Sequence, residues 1–136
     1  MARSLIVDAG FLVALLSRRD FHHIWAVHQA SENPPLWCTC EAVLSEAYHL
    51  LGERGAPGLS AMLSRRALAA RFNFDDNVVA VVALLHKYAS VPMSFADACL
   101  VRMSETMDDP LILTTDSDFR IYRRHSRQAV PVLCPQ

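Results

Sequence analysis

Residues 4–16 read SLIVDAGFLVALL, and the reading of this stretch decides the fold. Leu5, Ile6 and Val7 form a continuous apolar run, the pattern of a short strand covered on both faces. Asp8 ends the run, Ala9-Gly10 supplies a tight turn, and Phe11 to Leu16 begins a helical pattern. A carboxylate at the carboxyl end of a buried parallel strand stands where open α/β sheets place their ligands.

The same alternation continues outward. After the polar break at Ser17-Arg18-Arg19-Asp20, a helix is expected from Phe21 to Ser31, with Phe21, Ile24, Val27 and His28 at helical spacing. Glu32-Asn33-Pro34-Pro35 ends it. Leu36-Trp37-Cys38 reads as a second strand, and Thr39 as the N-cap of a helix from Cys40 to Leu51 that closes at Gly52 or Gly55. Ala56-Pro57-Gly58 opens a further helix to about Ala70, and Arg71 to Phe74 alternates like a strand. Asp75 or Asp76 then caps a buried helix, Asn77 to Tyr88, and Ser94 caps another, Phe95 to about Thr106. Leu111 to Thr114 is a third buried strand running into Asp116. Phe119 to Arg124 is a short helix, and Val130 to Leu133 an edge strand, marked by its proline. Strands alternating with helices predict a parallel sheet wrapped on both faces.

Bulk properties fit one domain, residues 1–136, with 52% apolar and 20% charged residues, as in globular chains. The longest stretch free of charge runs only from Phe21 to Ser31, too short for a membrane span of about 20 residues. Asp8 breaks the N-terminal apolar run, so no signal peptide is expected and the cytoplasm is the expected location. Cys38, Cys40, Cys99 and Cys134 form no C-x-x-C pair and read as free, mostly buried thiols. Net charge is −1, and Lys87 is the only lysine.

Four carboxylates stand out by position. Asp8 and Asp116 each follow a buried strand. Two such charges about 4 Å apart repel by roughly 4 kcal/mol at an effective dielectric near 20, unless one is protonated or a cation lies between them. Glu46 lies on or beside the apolar stripe of its helix, where a lone carboxylate is costly. Asp97 follows Ser94 at capping-box spacing. Each also has a plain reading: Asp8 as a strand-end turn residue, Glu46 as the rim of its stripe, Asp97 as a cap. Asp116 and Asp118 can likewise cap the helix that follows them. Mg²⁺ suits oxygen donors of this kind, since it takes few carboxylates and keeps several waters.

The ordered set is more specific than its members. Strand–Asp8–helix, helix-borne Glu46, Ser94-x-x-Asp97-Ala98 at a helix start, and Thr114-x-Asp116-x-Asp118-Phe119 after a strand together resemble the PIN-domain family. Within it, the chain is most similar to the VapC-type toxins of toxin–antitoxin pairs. The resemblance runs from Leu5 to Val132. It implies a three-layer α/β/α sandwich with a central parallel sheet, an acidic cluster holding Mg²⁺ or Mn²⁺, and endonuclease activity on RNA. Carried over, the catalytic set is Asp8, Glu46, Asp97 and Asp116, with Asp8, Asp97 and Asp116 as metal ligands. Asp118 matches a second, more variable acidic position, and Thr114 a supporting hydroxyl. Many members have a small polar residue two positions after the first Asp; here Gly10 lacks that hydroxyl. The resemblance also implies a homodimer and a small antitoxin partner whose tail enters the acidic groove.

In such a site the bound ion polarises a phosphate oxygen and lowers the pKa of a bound water, and Asp97 or Glu46 orients or deprotonates that water. RNA needs positive charge beside the acidic mouth. Arg120, Arg123, Arg124 and Arg127 are the densest basic group, with Arg120 and Arg124 expected one helical turn apart, and Arg18-Arg19 are a second candidate. The alternative for these arginines is an ordinary solvated face. The six histidines show no metal spacing, and no phosphate-cradling glycine motif occurs. Apolar helices between Ala56 and Tyr88 offer partner-facing surface, although core packing explains most of them. Three other functions compete: a PIN-like module that binds RNA or protein without cutting, a housekeeping nuclease without an antitoxin, and a phosphoacceptor signalling domain. The last needs an acidic pair near the first strand and a lysine after a late strand, and the chain has neither.

Overall fold

The computed structural model describes residues 3–136, so the first two residues of the expected 1–136 domain lie outside the described residues. The elements run β1 (Ser4–Val7), α1 (Ala9–Leu16), α2 (His23–Glu32), β2 (Trp37–Thr39), α3 (Glu41–Ser64), β3 (Leu68–Ala70), α4 (Val78–Lys87), α5 (Phe95–Thr106), β4 (Pro110–Leu113), β5 (Arg123–Arg124), β6 (Gln128–Ala129) and β7 (Val132–Leu133). Five strands form a parallel sheet in the order β3-β2-β1-β4-β7, and β5 pairs antiparallel with β6 as a separate hairpin. Helices flank the sheet, α1 packing on α2 and α3, and α4 on α5. This is the α/β/α sandwich that the resemblance implies, with the edge strand at β7.

β1 and β4 lie at the centre, with Val7 opposite Leu113. Ile6, Val7, Ile112 and Leu113 are buried together with Leu12, Leu59 and Leu100. Burying each such side chain contributes about 1.5–3 kcal/mol. Phe11 meets Trp37 edge to face at 5.4 Å and Trp25 at 6.1 Å, which locks α1 and α2 against β2. Cys38, Cys40 and Cys99 are buried free thiols, and Cys134 is half-buried.

Several sequence expectations are corrected. The expected stripe of α2 faces outward: Phe21 is 93% and Ile24 83% exposed, while Ala26 is fully buried. The helix docks through small Ala26 and through Trp25, which packs on Phe11, so the spacing of bulky residues misidentifies its inner face. Thr39 is not an N-cap. It ends β2, and its hydroxyl donates to the Val7 carbonyl at 2.8 Å, while Cys40 occupies the cap position of α3. The helix that begins after Cys40 does close at Gly52, as expected: at φ +61° and ψ −162° this residue is non-helical and divides α3 into two helices, the second of which contains Pro57 and runs to Ser64. The helix expected to reach Ala70 ends at Ser64, and the strand expected at Arg71 to Phe74 is β3 instead. Leu68 and Ala69 are buried beside β2, whereas Arg71 and Phe74 are not; alanines hid this strand inside a helical pattern. Asp75 and Asp76 lie in a single 3₁₀ turn, and Asn77 precedes α4. The helix expected at Phe119 to Arg124 is a 3₁₀ turn, Ser117–Arg120, followed by the β5–β6 hairpin.

Candidate active site

The chain leaves β1 toward β2 and β3 on one side, and returns through β4 and β7 on the other. The crevice between the ends of β1 and β4 is therefore the switch point where such sheets bind ligands. Asp8 emerges there, its N–H donating to the Leu113 carbonyl at 3.0 Å. It caps α1, Oδ1 accepting from the Ala9 N–H at 2.7 Å, and Oδ2 accepts the Thr114 hydroxyl proton at 2.8 Å. The same hydroxyl oxygen accepts from the Asp116 N–H at 2.9 Å. Fully buried Thr114 thus ties Asp8 to the segment that carries Asp116. Asp116 in turn caps the 3₁₀ turn, Oδ1 accepting from the Asp118 N–H at 2.9 Å.

Asp97 reaches the crevice from the first turn of α5. The expected capping box is present: the Asp97 N–H donates to Ser94 Oγ at 3.0 Å, and the Ser94 N–H to Asp97 Oδ2 at 3.3 Å. The Tyr122 hydroxyl donates to the same Oδ2 at 3.0 Å. Sequence reasoning missed Tyr122. Its ring is fully buried, edge to face with Phe119 at 5.3 Å and Tyr88 at 5.2 Å. The signal was available: a buried tyrosine needs an acceptor for its hydroxyl, and this one follows a run of carboxylates.

The electrostatics couple these groups. Burial pushes the Asp8 carboxyl up to about 7, opposed by the Thr114 and Ala9 hydrogen bonds and reinforced by the charges of Asp97 and Glu46. Burial also pushes the Asp97 carboxyl up, against the Tyr122 and Ser94 hydrogen bonds and with the charge of Asp116. The Tyr122 hydroxyl is pushed up by burial and then by Asp97, with smaller contributions from Asp116 and Asp118. Among the described residues, the ion pairs are Arg3–Asp109, His28–Glu32 and Arg102–Glu105, none of which involves these carboxylates.

Glu46 does not lie in the buried stripe. It is exposed, one turn from buried Val43 and beside buried Ala47, and acts on Asp8 through its charge. Asp118 is half-buried near Tyr122. The structure brings Asp8, Asp97 and Asp116 to one crevice but does not close them into a cage. Among the described residues, no three Asp, Glu, His or Cys side chains stand close enough to enclose one ion.

Gly10 lies in the first turn of α1, where a Cβ would collide with the Thr115 hydroxyl. The hydroxyl missing from position 10 thus has a counterpart arriving from β4, adjacent to Thr114. The arginines divide. Arg120 and Arg124 are not one helical turn apart, since the 3₁₀ turn ends at Arg120. Arg124 donates to the Ser104 carbonyl near the end of α5, and Arg123 to the carbonyls of Arg120, Ile121 and Tyr122. Arg120 and Arg127 are exposed.

Residues 5–124 match the PIN domain. A comparison with curated proteins finds none that matches. Among solved structures, VapC20 of Mycobacterium tuberculosis, described as a sarcin-ricin loop cleaving toxin, aligns with a TM-score of 0.71 at 24% identity. The alignment covers 85% of this chain and 92% of that one, and at this identity it speaks for a shared fold. With the parallel sheet, the switch-point carboxylates and the sequence match in agreement, the chain belongs to the PIN-domain family.

Proposed function

We propose that the chain is a divalent-metal-dependent endoribonuclease and the toxin of a toxin–antitoxin pair. The observation that carries this reading is the Thr114 hydroxyl, which joins Asp8 to the Asp116 segment at the switch point while Asp97 faces them. Family membership and the VapC-like fold support it.

The residues fit a hard cation. All the donors are carboxylate oxygens, their charges oppose one another, and no cationic side chain of the described residues pairs with them. Mg²⁺ or Mn²⁺ needs only one or two protein carboxylates and keeps its remaining waters, so an open arrangement suffices. Asp8, Asp97 and Asp116 would hold the ion, in part through its retained waters, with Glu46 and Asp118 at the rim. Bound there, the ion supplies Lewis-acid polarisation of a phosphate oxygen and a water of lowered pKa.

The chain's own groups do the rest. Ala9 and Thr114 fix both oxygens of Asp8, so this carboxylate is pre-oriented. Tyr122 and Ser94 hold one oxygen of Asp97 and leave Oδ1 free of any hydrogen bond among the described residues. That free oxygen, or the exposed Glu46 carboxylate, orients the attacking water and takes its proton. Exposed Arg120 and Arg127 supply positive charge for the RNA backbone.

A small antitoxin, a homodimer and a cytoplasmic location belong to the same reading. Among the described residues, no helix is long and apolar enough to cross a membrane. The test is cleavage of mixed cellular RNA by the purified chain, with Mg²⁺ or Mn²⁺ and with chelator. Cleavage is expected only with metal and is expected to vanish in Asp8→Asn and Asp97→Asn variants that remain folded. Metal-dependent cleavage retained by both variants overturns the assignment.

A further inference from the structure

We propose that Phe74 is a stacking platform for one unpaired nucleobase of the RNA substrate, braced by Phe95 beside the acidic crevice. This deepens the ribonuclease reading above, on which it rests. β2 and β3 end in register, Thr39 opposite Ala70, and the Arg71 N–H donates to the Thr39 carbonyl at 3.0 Å. The chain then turns through Phe72, Asn73 and Phe74 toward α4. With Glu41 from the first turn of α3, these residues line an open hollow of about 490 Å³. β1, β2 and β3 run parallel, so the hollow stands at the same edge as Asp8, two strand spacings away, or about 10 Å.

Phe74 is 38% and Phe95 44% exposed, and their rings meet edge to face at 5.0 Å. A lone exposed ring is ordinary, but a ring braced by a second one is a fixed aromatic surface. The bracing comes from α5. Phe95 opens that helix and shares a face with Arg102, seven residues on. Arg102 Nε donates to Asn77 Oδ1 at 2.9 Å, and Asn77 Nδ2 donates to the Asn73 carbonyl at 2.8 Å. The turn that presents Phe74 is thereby tied to the helix that carries Phe95. Asp97, two residues past Phe95, turns the other way, toward Tyr122. A base on Phe74 therefore lies beside the carboxylates without occupying their place.

The polar groups around the ring suit a base. Asn73 Oδ1 accepts from the Asp76 N–H at 3.3 Å, while its amide N–H₂ makes no hydrogen bond among the described residues. Asn73 can donate and Glu41 can accept, the two functions that base edges carry. Arg71 is exposed, makes no ion pair among the described residues, and is the one cation on a lining that also holds Glu41 and Asp75. One guanidinium can hold a single phosphate, and two carboxylates discourage a run of them. A base in a duplex is already stacked on both faces, so the occupant is a base of a single strand. A protein surface fits less well, because the cores of such contacts are depleted of charge and this ring stands among three charged side chains.

The test is binding of a short single-stranded RNA in chelator, so that cutting, which judges the nuclease reading, is measured separately. Phe74→Leu keeps the apolar bulk and removes the aromatic face; it is expected to weaken binding about tenfold, and Phe74→Trp to bind at least as well as the wild type. Phe95→Leu, which acts through Phe74, is expected to cost about threefold. None of these should change the slope of log K against log salt, whereas Arg71→Ala should flatten it by about 0.7. An abasic strand of the same length, which offers phosphates and no bases, is expected to bind the wild type and Phe74→Leu alike. Equal affinity of the wild type and Phe74→Leu for RNA overturns the proposal, as does a loss that the abasic strand shows in equal measure. A wild type that binds no RNA overturns it too. So does a Phe74→Leu variant altered only in its sedimentation, which would give the rings to a protein contact.

Discussion

At the carboxyl edge of the sheet, Asp8 and Asp97 are each 7% exposed, whereas on α4 the side chain of Val79 is 85% exposed. Both regions reverse the usual sorting of charge outward and apolar surface inward. They do so with different means. The acidic edge spends hydrogen bonds from Thr114, Ala9, Tyr122 and Ser94 to hold charges that burial opposes. The α4 face spends nothing: its valines satisfy helix geometry and leave the apolar surface uncovered. The contrast teaches that charge is kept inside only by specific donors, whereas apolar surface is left outside by helix geometry alone. Each can be broken separately.

The largest expected effect is at Asp8. Its carboxyl is raised from 3.8 in the unfolded chain to about 7 by burial. Between those values the folded state holds a proton that the unfolded state has lost, so metal-free stability falls as pH rises from about 4 to about 7 and then levels. The upper bound on that loss is roughly 4 kcal/mol, at 1.36 kcal/mol per pH unit. Asp8→Asn should remove the fall, raising Tm in chelator at pH 8, while RNA cleavage drops by about 10³-fold or more. Mg²⁺ should raise the wild-type Tm at pH 8 and leave that of the variant nearly unchanged. Thermal melts across pH, with and without metal, check both signs; a wild-type melt that is flat from pH 4 to 7 would contradict the burial argument.

Tyr122→Phe cuts deeper into positioning than into packing. It keeps the ring against Phe119 and Tyr88 and removes one hydrogen bond to Asp97. That bond holds the Asp97 carboxyl down, so its loss lets burial raise the pKa further. The acid limb of the cleavage profile should move to higher pH, with activity about tenfold lower on that limb and a smaller loss above it. Stability should fall by about 1 kcal/mol. Equal loss at every pH would assign Tyr122 a packing role only.

Gly10→Ser is a smaller change at the same edge. The new side chain competes with the Thr115 hydroxyl for one space, at an expected cost of about 1–2 kcal/mol. Thr115→Ala should relieve it. A double-mutant cycle on Tm measures the coupling, and additive losses would show that the two positions do not share that space.

How much of this was legible in the sequence follows from which interactions are local. The strand ending at Asp8 and the Ser94–Asp97 capping box depend on residues within four positions of each other and stand as read, whereas Ala9-Gly10, read as a turn, opens α1 directly with Asp8 as its cap. The central strands were legible because Leu5-Ile6-Val7 and Leu111-Ile112-Leu113 are apolar runs too short for helices. β3 was not, because Leu68-Ala69-Ala70 prefers a helix in isolation and becomes a strand only by pairing with Trp37 to Thr39. The inner face of α2 was misread for a related reason. Spacing of bulky residues marks a contact face, but does not say whether the contact is with the core or with something outside the chain. At the candidate site, order and spacing led to the expectation that Asp8, Asp97 and Asp116 meet, while Tyr122 and Thr115 gave no such signal. Their roles depend on Asp97 and Gly10, which are 25 and 105 positions away along the chain.

The smallest expected effects separate the arginines beside the acidic edge. Arg124 donates to the Ser104 carbonyl, close to the negative end of the α5 dipole. Arg124→Ala should therefore lower stability by about 1–2 kcal/mol and leave the salt dependence of RNA binding unchanged. Arg127 is exposed and makes no ion pair among the described residues. Arg127→Ala should change Tm by less than about 0.5 kcal/mol equivalent. If its guanidinium meets a phosphate, the slope of log K against log salt should flatten by about 0.7, the share of one contact with single-stranded RNA. Binding would be measured in chelator to prevent cleavage. A slope unaltered by Arg127→Ala but flattened by Arg124→Ala would reverse the assignment, and would mean that the hairpin opens on binding to release a guanidinium now held by the helix.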